Sequence, residues 1–262
     1  MGRPLYSEFL IVNDPCILIS GSAINTEIKL HLNNKIIVVY CGNNCKRTNT
    51  IMRYHAMINE SYVDIGGHKV FYRSSFSKDH KGSLVLLHGR SFTSKDWIGI
   101  KAFDIFSAMG YDVYAPDYPG FGNSQNNPEY KFSRDFKNSS KFVLDFSGKL
   151  GLLGFTLVGP SMGGGITLRT LIDYPDIVSS AVVIGSSGVE PMKDELPRVD
   201  APMLILWGEF DDVIKKEDGV ILKNLVKNSE LNIVPGATHP VYLDNPPFFF
   251  GEMKKFLERQ KN

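Results

Sequence analysis

A serine, an aspartate and a histidine, residue types that together can do nucleophilic acyl chemistry, stand just past apolar runs in this sequence. Gly159-Pro160-Ser161-Met162-Gly163 follows directly on Phe155 to Val158 and opens a Gly-rich stretch. G-x-S-x-G between a strand and a helix is the sharp turn that presents a serine hydroxyl above a sheet edge. Glycines flank the serine because such a turn is strained and neighbouring backbone passes close, leaving no space for a Cβ. The pentapeptide alone is a weak signal, since a structural Gly-rich turn carries the same letters, so its surroundings must support the assignment. Asp211, in W-G-E-F-D-D, follows the run Met203 to Trp207, and His239, in P-G-A-T-H-P, follows Leu231 to Val234. Side chains after different strands can converge at one rim. His239 would then accept the proton of Ser161, while Asp211 would fix the imidazole tautomer and stabilise its cation. Unassisted serine is a poor nucleophile at neutral pH.

A developing oxyanion needs donors. His88-Gly89-Arg90 closes the run Leu84 to Leu87, so the backbone N–H groups of Arg90 and Met162 are the expected pair, each contributing about 3–4 kcal/mol in comparable sites. Neither side chain matters for that role. Neighbouring residues have plainer readings. His88 is expected to order this loop by hydrogen bonding, and Asp117 to stabilise the turn around Pro116, Pro119 and two glycines. Arg90, Phe92 and Trp97 are candidates for the pocket entrance, with helix packing the alternative for Trp97. Asp212 competes with Asp211 for the acid's role. Lys215-Lys216 and Lys254-Lys255 read as solvated helix faces.

The elements that must position these residues follow an alternating pattern. Tyr62 to Ile65 and Lys69 to Tyr72 flank Gly66-Gly67, which predicts a two-residue hairpin. Leu84 to Leu87, Asp112 to Ala115, Phe155 to Val158, Val182 to Ile184, Met203 to Trp207 and Leu231 to Val234 read as buried strands. Ile98, Ala102, Ile105 and Met109 recur at helical spacing, with a capping box over Thr93 to Asp96 and Gly110 at the exit. Phe132, Phe136, Val143 and Leu150 predict one face of a long helix, and Phe248 to Phe250 begin the apolar face of a C-terminal one. Alternation of this kind predicts an α/β fold, a mostly parallel sheet with helices on both faces and ligands at the carboxyl ends of its strands.

Composition narrows the function classes. Lys+Arg 29 against Asp+Glu 28 leaves no strong field for nucleic acid. No apolar run reaches the roughly 18 residues of a bilayer span. All three cysteines, Cys16, Cys41 and Cys45, fall in the first fifth of the chain, so no disulfide framework holds the main body. Phe9 to Ile19 is broken by Asn13, Asp14 and Pro15 and does not read as a secretory signal, which makes a cytoplasmic location the expectation. The chain divides near residue 56: residues 1–56 form an extension, and 57–262 the main domain. Within the extension Ile28, Leu30 and Leu32 alternate with polar residues, Asn33-Asn34 can turn, and Ile36 to Tyr40 can return as a hairpin, with poorly ordered segments around it. Cys41, Cys45, His31 and His55 fit no standard metal spacing, so no metal is expected. Met52 and Met57 precede the first regular pattern, and a start there is an expectation that peptides from residues 1–50 in native protein would reject.

Taken together, L-L-H-G, D-Y-P-G-F-G-N-S (Asp117 to Ser124), G-P-S-M-G-G, W-G-E-F-D-D and P-G-A-T-H resemble the α/β-hydrolase superfamily over residues 61 to 260. The resemblance implies the α/β-hydrolase fold, the chain order Ser161, Asp211, His239 for the triad, and Asp211 over Asp212 by the G-x-x-D spacing from Gly208. Only Ser186 to Pro202 separates Ile184 from Met203, so the chain resembles the compact serine hydrolases without a lid domain. The implied activity is hydrolysis of small carboxylic esters or related acyl compounds through an acyl-enzyme, with a small-molecule acyl substrate and no cofactor. Two alternatives keep the scaffold: an acyltransferase or perhydrolase using the same acyl-enzyme, and a non-catalytic interaction protein. Serine at the elbow argues against dehalogenase or epoxide hydrolase chemistry, which uses a carboxylate there.

Overall fold

The computed structural model describes residues 26–32, 35–41 and 53–260, and the chain splits into two units, Met1–Arg53 and Tyr54–Asn262. In the first, β1 (Thr26–Leu32) pairs antiparallel with β2 (Lys35–Cys41), Leu32 opposite Lys35 and Thr26 opposite Cys41. The Asn33-Asn34 turn, Phe9 to Ile19, Cys16, Cys45 and Met52 lie outside the described residues. β3 (Arg53–Ala56) spans the division, which falls three residues before the expected one.

Strands whose successive side chains alternate between two apolar faces need cover on both. The second unit supplies it. β4 (Asn59–Ile65) and β5 (His68–Ser75) form the expected hairpin, and β6 (Gly82–Leu86) enters the centre. Helices α1 (Asp96–Gly99) and α2 (Ala102–Met109) lead to β7 (Tyr111–Pro116), and α3 (Lys137–Leu150) to β8 (Phe155–Pro160). Then come α4 (Met162–Asp173), β9 (Val178–Ile184), α5 (Val189–Met192), β10 (Met203–Gly208), α6 (Lys216–Leu225) and β11 (Ser229–Val234). The short α7 (Val241–Asp244) and long α8 (Pro246–Arg259) finish the chain. The sheet order is β11-β10-β9-β8-β6-β7-β5-β4; β4 and β5 run antiparallel to their neighbours and the other pairings are parallel.

Two cores result from the alternation. Val85, Leu157, Val183 and Ile205 pack with Phe142 and Phe146 of α3, Ile166 of α4 and Leu222 of α6. Leu84, Val158, Val182 and Leu204 point the other way, onto Trp97, Phe103, Phe106, Tyr242 and Phe249. Helices therefore cover both faces, as predicted.

Four expectations need correction. The helix through Ile98 and Ala102 is broken, because Lys101 adopts a left-handed conformation (φ 62°) between α1 and α2. Ile98 faces outward, and Trp97 is the buried anchor instead, its indole N–H donating to the Leu87 carbonyl at 3.2 Å. The predicted capping box is only half formed: Asp96 accepts from the Thr93 N–H at 2.7 Å, but the Asp96 N–H donates to the Thr93 carbonyl at 3.2 Å and the Thr93 hydroxyl accepts from the Lys95 N–H instead, at 3.3 Å. Phe132 and Phe136 do not belong to α3. Phe136 is left-handed (φ 58°) and the helix starts one residue later, so both rings lie in the preceding loop. Finally, β11 sits at the sheet edge, and of its residues only Val234 is buried. Residues 185–202 contain α5 and a single 3₁₀ turn at Leu196–Arg198, and no lid domain.

Candidate active site

Ser161 is the residue between β8 and α4, at φ 52° and ψ −112°, a backbone state that L residues rarely adopt. The surrounding hydrogen bonds hold it there. Its N–H donates to the Ile184 carbonyl at 2.8 Å, and its carbonyl accepts from Ser187 N–H at 3.0 Å and Gly165 N–H at 3.1 Å. The flanking glycines have the steric role expected of them. A Cβ at Gly159 would stand 2.2 Å from the Gly163 carbonyl oxygen, and one at Gly163 would press on Leu87 and the His88 carbonyl at 3.0 Å.

Asp211 and His239 meet at the ends of β10 and β11. His239 Nδ1 lies 2.8 Å from Asp211 Oδ2, with the carboxylate side chain 0% exposed and the imidazole 14%. The other carboxylate oxygen accepts from the N–H groups of Val213 (3.0 Å) and Ile214 (2.9 Å). A buried carboxylate so satisfied has a fixed orientation. Asp212 is exposed, one step further round the turn. Gly208 lets the histidine loop approach, since a Cβ there would lie 2.1 Å from the Thr238 carbonyl. Thr238 is held by Asp244, which accepts from its N–H (2.7 Å) and hydroxyl (2.6 Å). Gly185, the residue after β9, joins the two halves: a Cβ there would stand 3.0 Å from both His239 Nδ1 and Asp211 Oδ2, and its neighbour Ile184 bonds the Ser161 backbone. The serine turn and the Asp–His pair thus share one strand end.

Arg90 and Met162 flank the serine from two elements. Gly89, between His88 and Arg90, is so close that a Cβ would touch the Ser161 Cβ at 3.7 Å. Among the described residues, neither the Arg90 nor the Met162 N–H donates to a backbone carbonyl. For Met162 this follows from its place as first residue of α4, with no preceding turn to accept it. His88 orders the loop. It is 2% exposed, its Nε2 accepts from the Tyr118 N–H at 2.9 Å, and its Nδ1–H donates to the Gly89 carbonyl at 2.8 Å. Burial pulls its pKa down, which suits a neutral ring that must accept on one nitrogen. Asp117, also buried, accepts from the Ser94 N–H (2.8 Å) and hydroxyl (2.6 Å) and from the Asn123 N–H (2.9 Å), tying two loops together.

A cavity of about 240 Å³ opens over Ser161, walled by Arg90, Phe132, Arg134, Phe136 and Ser187. Of the three entrance candidates, Arg90 lines it, Trp97 is core, and Phe92 packs toward Tyr242 with ring centroids 6.4 Å apart. Sequence reasoning missed Arg134 and Ser187 and misread Phe132 and Phe136 as helix face. The signal available was Ser133-x-Asp135: the Ser133 hydroxyl donates to Asp135 at 2.7 Å, and that carboxylate accepts the first α3 N–H at 3.4 Å. Those contacts mark the approach to α3, and the left-handed Phe136 between Asp135 and Lys137 leaves both rings outside the helix. Among the described residues no three His, Cys, Asp or Glu side chains gather as metal ligands, and no helix is long and apolar enough to cross a membrane.

Comparison with known proteins agrees with this architecture. The family model for the alpha/beta hydrolase fold matches residues 82–199. Protein ABHD14A of Danio rerio is 29% identical over 206 residues, covering 74% of this chain and 73% of that protein. A Rattus norvegicus protein named "Putative protein-lysine deacylase ABHD14B" is 25% identical over 205 residues, covering 77% of this chain and 96% of its own. Among solved structures, a "predicted CIB-like hydrolase" from Thermoplasma acidophilum superposes with a TM-score of 0.75 at 34% identity, over 78% of this chain and 100% of that one. This chain belongs to the α/β-hydrolase superfamily.

Proposed function

We propose that the protein is a serine hydrolase that cleaves small carboxylic esters or related acyl compounds through an acyl-enzyme. The observation that carries this reading is the Asp211–His239 hydrogen bond beside Gly185, whose strand also holds the Ser161 backbone. With Nδ1 engaged by Asp211, the other ring nitrogen, Nε2, is the base for Ser161. As the serine oxygen attacks the carbonyl carbon, its proton passes to Nε2, and Asp211 stabilises the imidazolium. The Arg90 and Met162 N–H groups receive the tetrahedral oxyanion. Collapse expels the alcohol, which leaves with the proton from Nε2. Water then attacks the acyl-enzyme, gives one proton to His239, and releases the acid as that proton returns to Ser161.

A related acyl compound gains support from one relative's name, which describes lysine deacylation. A site without a lid domain admits an acyl group borne on a bulky carrier as readily as a free ester.

Ser161→Ala is expected to abolish turnover of p-nitrophenyl butyrate and labelling by a fluorophosphonate probe, with unchanged circular dichroism. Asp211→Asn is expected to lower kcat roughly 10³–10⁴-fold by presenting the wrong tautomer, and Asp212→Asn to leave it within about twofold. Retained turnover in Ser161→Ala sinks the assignment.

A further inference from the structure

Three arginines away from the serine pair with carboxylates. Arg73 pairs with Glu60 at 2.7 Å, Arg169 with Glu195 at 2.8 Å as well as Asp173, and Arg259 with Glu230. Among the described residues, Arg90, Arg134 and Arg198 have no carboxylate within 4.0 Å, and Arg90 and Arg134 line one cavity together. That cavity is the one over Ser161, and no acidic side chain lines it. The acid adjacent in sequence, Asp135, is engaged by the Ser133 hydroxyl and lies 3.9 Å from Lys137. Arg90 is steadied from one side, its guanidinium 5.9 Å from the Phe132 ring centroid, which leaves its N–H fork available.

Arg90 and Arg134 are both exposed, so water solvates their charges, and an anion entering the cavity meets two guanidiniums with no carboxylate partner. A carboxylate of the ligand would answer both, because the guanidinium fork matches carboxylate geometry with two parallel hydrogen bonds. Beside Ser133 and Ser187, the remaining wall is apolar, Phe132, Phe136 and Met162, which suits a short methylene chain. We propose that the acyl group taken by this site carries its own carboxylate, a half-ester or half-amide of a short dicarboxylic acid, held by Arg134 and Arg90 while Ser161 attacks the other end. The proposal rests on the Ser161 reading for the chemistry, but the anion site stands or falls by binding alone.

The test pairs two substrates of nearly equal size, monoethyl succinate and ethyl butyrate, followed by proton release at constant pH. The expected kcat/KM ratio is at least about tenfold in favour of succinate. It falls toward one in Arg134→Gln, is partly restored in Arg134→Lys, and declines as salt is raised. In parallel, Ser161→Ala is titrated calorimetrically with disodium succinate and with neutral succinamide. Succinate alone is expected to bind, and Arg134→Gln in that background to abolish the heat. Equal turnover of both esters without succinate binding overturns the anion site and leaves the serine mechanism in place. Arg134-dependent succinate binding with neither ester cleaved upholds the anion site and overturns the mechanism.

Discussion

His88 and His239 are the same residue type given opposite tasks by their surroundings. His239 keeps one ring nitrogen on a buried carboxylate, whereas His88 is walled in, with a backbone N–H on one nitrogen and a carbonyl on the other. Protonating His88 would put a donor against the Tyr118 N–H in a dry site, and burial accordingly lowers its pKa from 6.5. The unfolded chain binds that proton first as pH falls. Stability from this group is therefore complete above about 6.5 and lost as pH drops from there toward the lowered folded value. Tm is expected to fall between pH 7.5 and 5.5, and the drop to shrink in His88→Gln, measured by thermal unfolding at both pH values. An unchanged drop removes His88 from the linkage. The sequence supported an ordering role for this residue, but the tautomer required the position of Tyr118.

At the scale of elements, α4 is the helix on which the site depends, and every residue from Met162 to Leu171 is buried. Its glycines let other chain segments approach the serine: a Cβ at Gly164 would stand 2.5 Å from the Ser186 hydroxyl, and one at Gly165 2.5 Å from the Phe136 ring. Further along, Arg169 is 2% exposed, donates from Nε to Asp173 at 2.8 Å, and from Nη1 to Glu195 at 2.8 Å. This guanidinium fastens residues 185–202 to α4. Burial alone would raise the Asp173 pKa, but hydrogen bonds from Arg169 and Ser140 outweigh it and hold the carboxyl below the ordinary value. Arg169→Leu is expected to lower the unfolding free energy by ~2 kcal/mol in urea titrations, because Glu195 and Asp173 lose the guanidinium's hydrogen bonds while Ser140 still donates to Asp173 and water still reaches both acids. A change under about 0.5 kcal/mol would show that packing alone holds the segment. None of this was legible in the sequence: Arg169 and Glu195 lie 26 residues apart, and nothing local marks them as partners.

For the molecule as a whole, every residue assigned a chemical role lies in the unit Tyr54–Asn262. That unit contains the eight-stranded sheet and both cores. Its first residues are used, for the Ala56 N–H donates to Asp104 at 2.6 Å. A chain of residues 54–262 is expected to fold cooperatively and to keep fluorophosphonate labelling and ester kcat/KM within about twofold of the full chain. Loss of labelling with a native circular dichroism spectrum would assign the first unit a part in the site.

By itself the sequence determined what depends on local repetition and backbone sterics. Runs such as Leu84 to Leu87 announced strands buried on both faces, Gly66-Gly67 announced a hairpin, and G-P-S-M-G announced a turn that admits no Cβ at its glycines. Period and steric exclusion act over a few residues, so they are written where they act. The tertiary structure alone decided the partnerships: the His88 tautomer, the Asp211 bond to His239, and the meeting of Arg90 and Arg134 over Ser161. Those side chains come from loops after different elements. Their separation in space is set by strand order and loop conformation, and a left-handed Phe136 was enough to turn two apparent helix residues into pocket walls.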